Sequence, residues 1–141
     1  MIFSVFLTVS GLPSVLAGWI TGLGLPPLLV LVLVLLMYVP LGALMDALPM
    51  ILLTLPIVFP IIVGLGFDPI FFGVLLVVMA EMALITPPVG MNAYIVQGVA
   101  GDVPLEEVFR GLVPFVIMMA VGVAILIAFP QISLFLPSLM K

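Results

Sequence analysis

Apolar positions in this chain do not alternate with polar ones; they run on in blocks. Four uncharged stretches, residues 1–45, 47–67, 82–101 and 111–140, separate the few charged positions. A helix needs about 20 apolar residues to cross the hydrocarbon core of a bilayer. The blocks are Leu-, Val- and Ile-rich and lack a period of two, so helices that satisfy their own backbone hydrogen bonds are expected, not the strands of a barrel. The pattern predicts an all-α polytopic membrane protein, with residues 1–141 as a single membrane domain.

Prolines and glycines subdivide the blocks. Residues 2–10 are apolar but too short to cross, and read either as a frayed start or as the end of a helix whose first half is absent. Gly11, Leu12 and Pro13 break it, and Ser14 to Gly22, with Trp19 suited to the headgroup level, predicts an interfacial helix; residues 1–22 are thus a helix end and an interfacial helix. Pro26 and Pro27 open a run from Leu28 to Val39 that Pro40 and Gly42 are expected to stop. A second run, Ala47 to Val63, carries Pro49, Pro56 and Pro60. Neither arm makes a comfortable span, so residues 25–63 are expected to form a re-entrant hairpin. Gly64 to Pro69 is a turn. Residues 69–100 then predict a broken transmembrane helix: Ile70 to Ile85, an interruption from Thr86 to Gly90, and a resumption from Met91 to Val99. Residues 104–129 hold a surface turn of helix, with Glu106 and Arg110 spaced i, i+4, and a last span from Leu112 to Phe129 bent at Pro114. Pro130 to Lys141 returns to the interface.

Composition sharpens this picture. The chain is 67% hydrophobic and 6% charged, against roughly a quarter charged in soluble domains, so most of its surface is expected to face lipid. Arg110 and Lys141 are the only basic residues, which excludes binding to a nucleic-acid backbone. With no Cys and no His, thiolate sites, cysteine nucleophiles and the commonest zinc ligands and general base are absent. No basic n-region marks a cleaved signal peptide.

Three places carry candidate chemistry. Asp46 has 45 uncharged residues before it and 21 after, and a carboxylate in a bilayer costs roughly 2.5–3.5 kcal/mol. It reads either as a functional acid at the hairpin tip, helping to hold a cation, or as a helix cap at the water interface. Glu81 lies four residues before the break, as a protonated acid, a proton relay, a cation ligand or a neutral hydrogen-bonding partner for another helix. In Thr86 to Asn92 the two prolines free carbonyls one turn earlier, beside a hydroxyl and an amide. All are hard oxygen donors, the pattern of a secondary-transporter ion site, with Na+ expected near Thr86, Gly90 and Asn92 and no other cofactor. Paired membrane carboxylates raise the possibility of an intramembrane aspartyl protease, but Gly64-Leu65-Gly66-Phe67-Asp68 places Phe67 before the acid, and no enzymatic activity is expected.

These segments in order, Gly42 to Asp46 (GALMD), Leu55-Pro56, Phe59-Pro60, Asp68 to Gly73 (DPIFFG), Thr86 to Asn92 (TPPVGMN) and Val108 to Phe115 (VFRGLVPF), resemble the C-terminal part of the large membrane subunit (M or DctM type) of tripartite ATP-independent periplasmic (TRAP) transporters. The resemblance implies an inner-membrane, sodium-driven importer of small organic anions such as C4-dicarboxylates or sialic acid. It implies one inverted-repeat half of the ion-transporter fold, moving as an elevator. Gly42 to Asp46 would form the outer hairpin tip, and Thr86, Pro87, Pro88, Val89, Gly90 and Asn92 the unwound stretch lining an ion site and the substrate cavity. Implied partners are a small membrane subunit (Q or DctQ type), a periplasmic substrate-binding protein and the N-terminal repeat of the permease, missing from this chain. The family often carries a small hydroxyl residue after the hairpin acid, where this chain has Ala47 and Leu48, and Asn and Gly where it has Met79 and Ala83. The rival expectations are a permease of the wider superfamily that needs no binding protein, and a non-transporting scaffold or degenerate remnant.

Overall fold

The computed structural model describes residue 6, residues 9–87 and residues 90–139. Among these residues every regular element is a helix: α1 Leu12–Gly22, α2 Pro27–Leu44, α3 Ala47–Gly64, α4 Pro69–Leu84, α5 Met91–Ala100, α6 Leu105–Ala128 and α7 Gln131–Leu139. Three of them, α2, α3 and α6, are long and apolar enough to cross a membrane. The protein is an all-α polytopic membrane protein.

Prolines end fewer helices than the sequence leads one to expect. Pro26 and Pro27 start α2, where a missing N–H costs nothing, but the helix runs through Pro40 and Gly42 to Leu44 instead of stopping at Val39. In α3, Pro49 sits in the first turn and Pro56 and Pro60 lie inside the helix. In hydrocarbon each abandoned backbone bond costs several kcal/mol, so losing one bond at a proline is cheaper than ending the helix. Both hairpin arms are therefore continuous 18-residue helices, about 27 Å long at 1.5 Å per residue. The chain reverses between them in two extended residues, Met45 and Asp46. Likewise α6 is one 24-residue helix through Pro114, so the expected surface turn and last span are a single element. At its start Arg110 pairs with Glu106 at 3.2 Å, both exposed.

Helix α4 is the hub. Asp68 caps it, accepting from the N–H groups of Ile70 at 2.8 Å and Phe71 at 3.3 Å, and Pro69 fills the first position. It packs against α2, α3, α5, α6 and α7, while α1 lies on α3. Phe71, Phe72, Leu75, Leu76, Met79 and Ala80 of α4 are buried. They meet Leu31, Leu35 and Tyr38 of α2, which recur at helical spacing, together with Met50, Val58 and Ile62 of α3 and Val123 of α6. Leucines on the far side of α2, among them Leu28, Leu33 and Leu36, are exposed. Apolar surface inside and out is what a helix between lipid and protein presents.

Candidate functional site

The hairpin tip is held against the end of the hub helix by the smallest side chains available. Gly42, two residues before the end of α2, is buried. A Cβ placed on it would stand 2.5 Å from the Cβ of Ala83 and 3.3 Å from the sulfur of Met50. Gly42 and Ala83 thus let α2 and α4 touch nearly backbone to backbone, the small-residue packing typical of membrane helices. The two arms are tied together half-way down. The Thr54 hydroxyl donates to the Met50 carbonyl at 2.8 Å, so its oxygen accepts from the hydroxyl of Tyr38, 2.7 Å away and fully buried.

Ala83 lies one turn before the helix break. The carbonyls of Ala83 and Leu84 would be bonded four residues on by Pro87 and Pro88, which have no N–H. Thr86 answers this locally: its N–H turns back to the Ala83 carbonyl at 3.2 Å, and its hydroxyl donates to the Met82 carbonyl at 2.6 Å. The Thr86 oxygen keeps its lone pairs for a further partner. The chain re-enters a helix at Gly90, which adopts φ +46° and has no side-chain cap to offer α5. Added to Gly90, a Cβ would lie 3.0 Å from the Phe109 ring and 3.2 Å from the Thr86 carbonyl oxygen, so only glycine fits there without strain. Phe109 also meets Tyr94 edge to face, with ring centroids 6.4 Å apart. The start of α6 thereby backs the resumed helix.

The C-terminal ends of α2 and α4 come together here, each carrying partial negative charge, while α5 opens at the break with free N–H groups and partial positive charge. The first can favour a cation and the second an anion. Among the described residues no three acidic side chains gather. A cation held here would have carbonyls, a hydroxyl and an amide as its donors.

The sequence-picked residues separate into groups. Gly42 is buried against Ala83. Asp46 is exposed at the tip and accepts from the Ala47 N–H at 2.8 Å, capping α3. Thr86 and Asn92 are half-buried, Pro87 exposed and Gly90 buried; Pro88 and Val89 lie outside the described residues. Glu81 is exposed. It stands two residues before Ala83, about 200° around the helix, so it faces away from the hairpin tip. Sequence reasoning passed over Tyr38 and Thr54, and met Ala83 only as a departure from the family pattern and Phe109 only inside a family segment. A polar pair either side of a tip, Tyr38 seven residues before Met45 and Thr54 eight after Asp46, is a signal that hairpin geometry alone could have used.

Residues 1–132 match the family described as the tripartite ATP-independent periplasmic transporter, DctM component. The chain belongs to this family. It is 38% identical over 138 residues, 98% of its length, to the C4-dicarboxylate TRAP transporter large permease protein DctM of Pseudomonas aeruginosa, covering 32% of that protein. It is 34% identical to the sialic acid TRAP transporter large permease protein SiaM of Vibrio cholerae, over 91% of this chain and 30% of the relative. With the isethionate TRAP transporter permease protein DctMQ of Oleidesulfovibrio alaskensis it shares 30% identity, over 95% of this chain and 21% of the relative. The chain thus spans about a third or less of the length of these DctM relatives. Permeases of this kind are transporters, not enzymes.

Proposed function

We propose that this chain is the C-terminal repeat of a TRAP large permease in a bacterial or archaeal inner membrane, and that it carries half of a sodium-coupled site for a small organic anion. The α2–α3 pair is the re-entrant hairpin in this reading, and α4–α5 the broken helix of the moving unit. The observation that carries it is the contact of Gly42 with Ala83 one turn before the Thr86–Gly90 break. It brings two helix carbonyl ends to one place, beside the uncapped start of α5. Na+ is held by oxygens near Thr86, Gly90 and Asn92 and orders the hairpin tip against the break. The free N–H groups at the start of α5 then face the substrate anion. Asp46 holds the first turn of α3 in place and adds negative charge at the tip. A periplasmic binding protein supplies the anion, and a small membrane subunit braces the unit.

The test uses a full-length permease containing this sequence, reconstituted with its small subunit and binding protein in proteoliposomes. Uptake driven by an inward Na+ gradient is expected to exceed uptake in an equal K+ gradient. Asn92→Ala and Asp46→Ala are expected to raise the Na+ concentration at half-maximal uptake by about tenfold, the equivalent of 1.4 kcal/mol. Equal uptake in the two gradients, or an unchanged Na+ dependence in both variants, refutes sodium coupling at these residues.

A further inference from the structure

The hub helix is buried on nearly every side, and what remains open is a single narrow stripe. Ile70, Gly73, Val74, Val77, Val78 and Glu81 follow one another at i, i+3, i+4, i+7, i+8 and i+11, one face of a helix. Ile70 is 49% exposed and Val77 55%, and a Cβ on Gly73 would meet nothing within 4 Å. The five residues before Glu81 line a shallow apolar groove. Were this stripe valine and isoleucine throughout, lipid would cover it adequately. Glu81 removes that option. It stands 13 residues beyond the capping Asp68, about 20 Å along the axis; with Asp68 at one surface of a hydrocarbon core about 30 Å thick, its carboxyl group would lie within that core. A carboxyl group facing lipid at that depth is strongly disfavoured.

Nothing in the described part of the chain relieves it. Glu81 makes no hydrogen bond or ion pair there, and Arg110 is taken up by Glu106 at the exposed start of α6. Relatives of this chain are about three times its length, so each has about two-thirds of its permease to pack around the equivalent of this unit. A groove with glycine at Gly73 and β-branched Val77 one turn on admits a helix at close range.

We propose that the Ile70–Glu81 stripe of α4 is the seam against which a transmembrane helix from the remainder of the same permease packs, presenting a hydrogen-bond donor opposite Glu81. The seam lies on the face of α4 turned away from the hairpin tip. It rests on the reading of this chain as one repeat of a larger permease and on helix packing, not on sodium coupling, so the seam and the sodium site can each fail without the other.

The experiment places one cysteine at Val77 in an otherwise cysteine-free full-length permease, in lipid nanodiscs. A spin label there is expected to be immobilised and shielded from both dissolved oxygen and a water-soluble nickel chelate. A photo-crosslinker attached at the same position is expected to give a cross-linked peptide pair within one permease chain. High oxygen accessibility means a lipid-facing stripe, and high nickel accessibility a water-filled cavity; either overturns the proposal. So does a cross-link to the small subunit or to a second permease copy. If Val77→Cys fails to fold, Val74→Cys repeats the measurement three residues, about one turn, away on the same stripe. Independently, Glu81→Leu is expected to lower the fraction of folded permease surviving a fixed heat challenge about tenfold, with Glu81→Gln in between. A Glu81→Leu permease that survives better than the parent also overturns it.

Discussion

Adding one methyl group at Gly42 tests the helix contact on which the site depends. In an ordinary helix interior, Gly→Ala stabilises by roughly 0.5–1 kcal/mol, because alanine loses less backbone freedom on folding. Here the new Cβ would stand 2.5 Å from the Cβ of Ala83, while carbon atoms pack best at about 3.5–4.0 Å. Helices α2 and α4 must then part by about 1 Å or more, and overpacking of this kind costs about 1–3 kcal/mol. The steric loss exceeds the backbone gain, so Gly42→Ala is expected to destabilise a full-length permease by about 1–2 kcal/mol net. The opposing methyl belongs to Ala83, so Ala83→Gly should restore the room. The double variant is expected to recover most of the loss, with a coupling energy on the order of 1–3 kcal/mol. Gly122→Ala in α6, where a Cβ meets nothing within 4 Å, is the control and should be neutral or stabilising. The assay is denaturant unfolding in detergent, with the four members of the Gly42/Ala83 cycle measured side by side. A Gly42→Ala permease as stable as its parent, or an Ala83→Gly change that simply adds its own cost, refutes the close approach of α2 and α4.

Further predictions follow from single contacts. Thr54→Val strands the buried Tyr38 hydroxyl and is expected to cost about 1–3 kcal/mol; the cost should shrink in a Tyr38→Phe background, as a double-mutant cycle in the same unfolding assay would report. Gly90→Ala forces a side chain into φ +46°, about 1–2 kcal/mol, and into the Phe109 ring. Phe109→Leu should recover the steric part alone, so full recovery of stability would show that the backbone conformation carries no strain. Asp68→Ala removes both caps on α4 for about 0.5–2 kcal/mol, whereas Asp68→Asn, which can still accept, should stay within about 0.5 kcal/mol of the parent.

The break in the α4–α5 helix was legible because its cause is local. Consecutive prolines remove donors wherever they stand, and the observed ends, Leu84 and Met91, fall within a residue of those read from the chain. The start of the second arm at Ala47 was legible too, since the charge of Asp46 interrupts the longest apolar run, but the end of the first arm was not. Pro40 misled because the rule that proline ends a helix comes from water, which takes up the freed carbonyl. A membrane offers no such substitute, so α2 continued to Leu44. The same argument accounts for Pro56, Pro60 and Pro114, each held inside a helix.

Pairing was much less legible, and the reason lies in the membrane itself. In a soluble bundle the apolar stripe of a helix tells which face is buried. Helix α2, and α4 apart from Glu81, are apolar on every face, so the stripe vanishes, and the choice of face passes to side-chain size and to the rare polar group. Gly42 and Ala83 mark the face where two helices touch, Tyr38 and Thr54 the face that closes the hairpin. Each is an ordinary residue type whose meaning appears only when its opposite number is known. Glu81 differs, because its demand for a partner is a property of the carboxyl group and the depth at which it lies, whatever stands across from it. On a helix buried on its other sides by five neighbours, that one exposed acid marks the remaining face as the one for which a further partner is proposed.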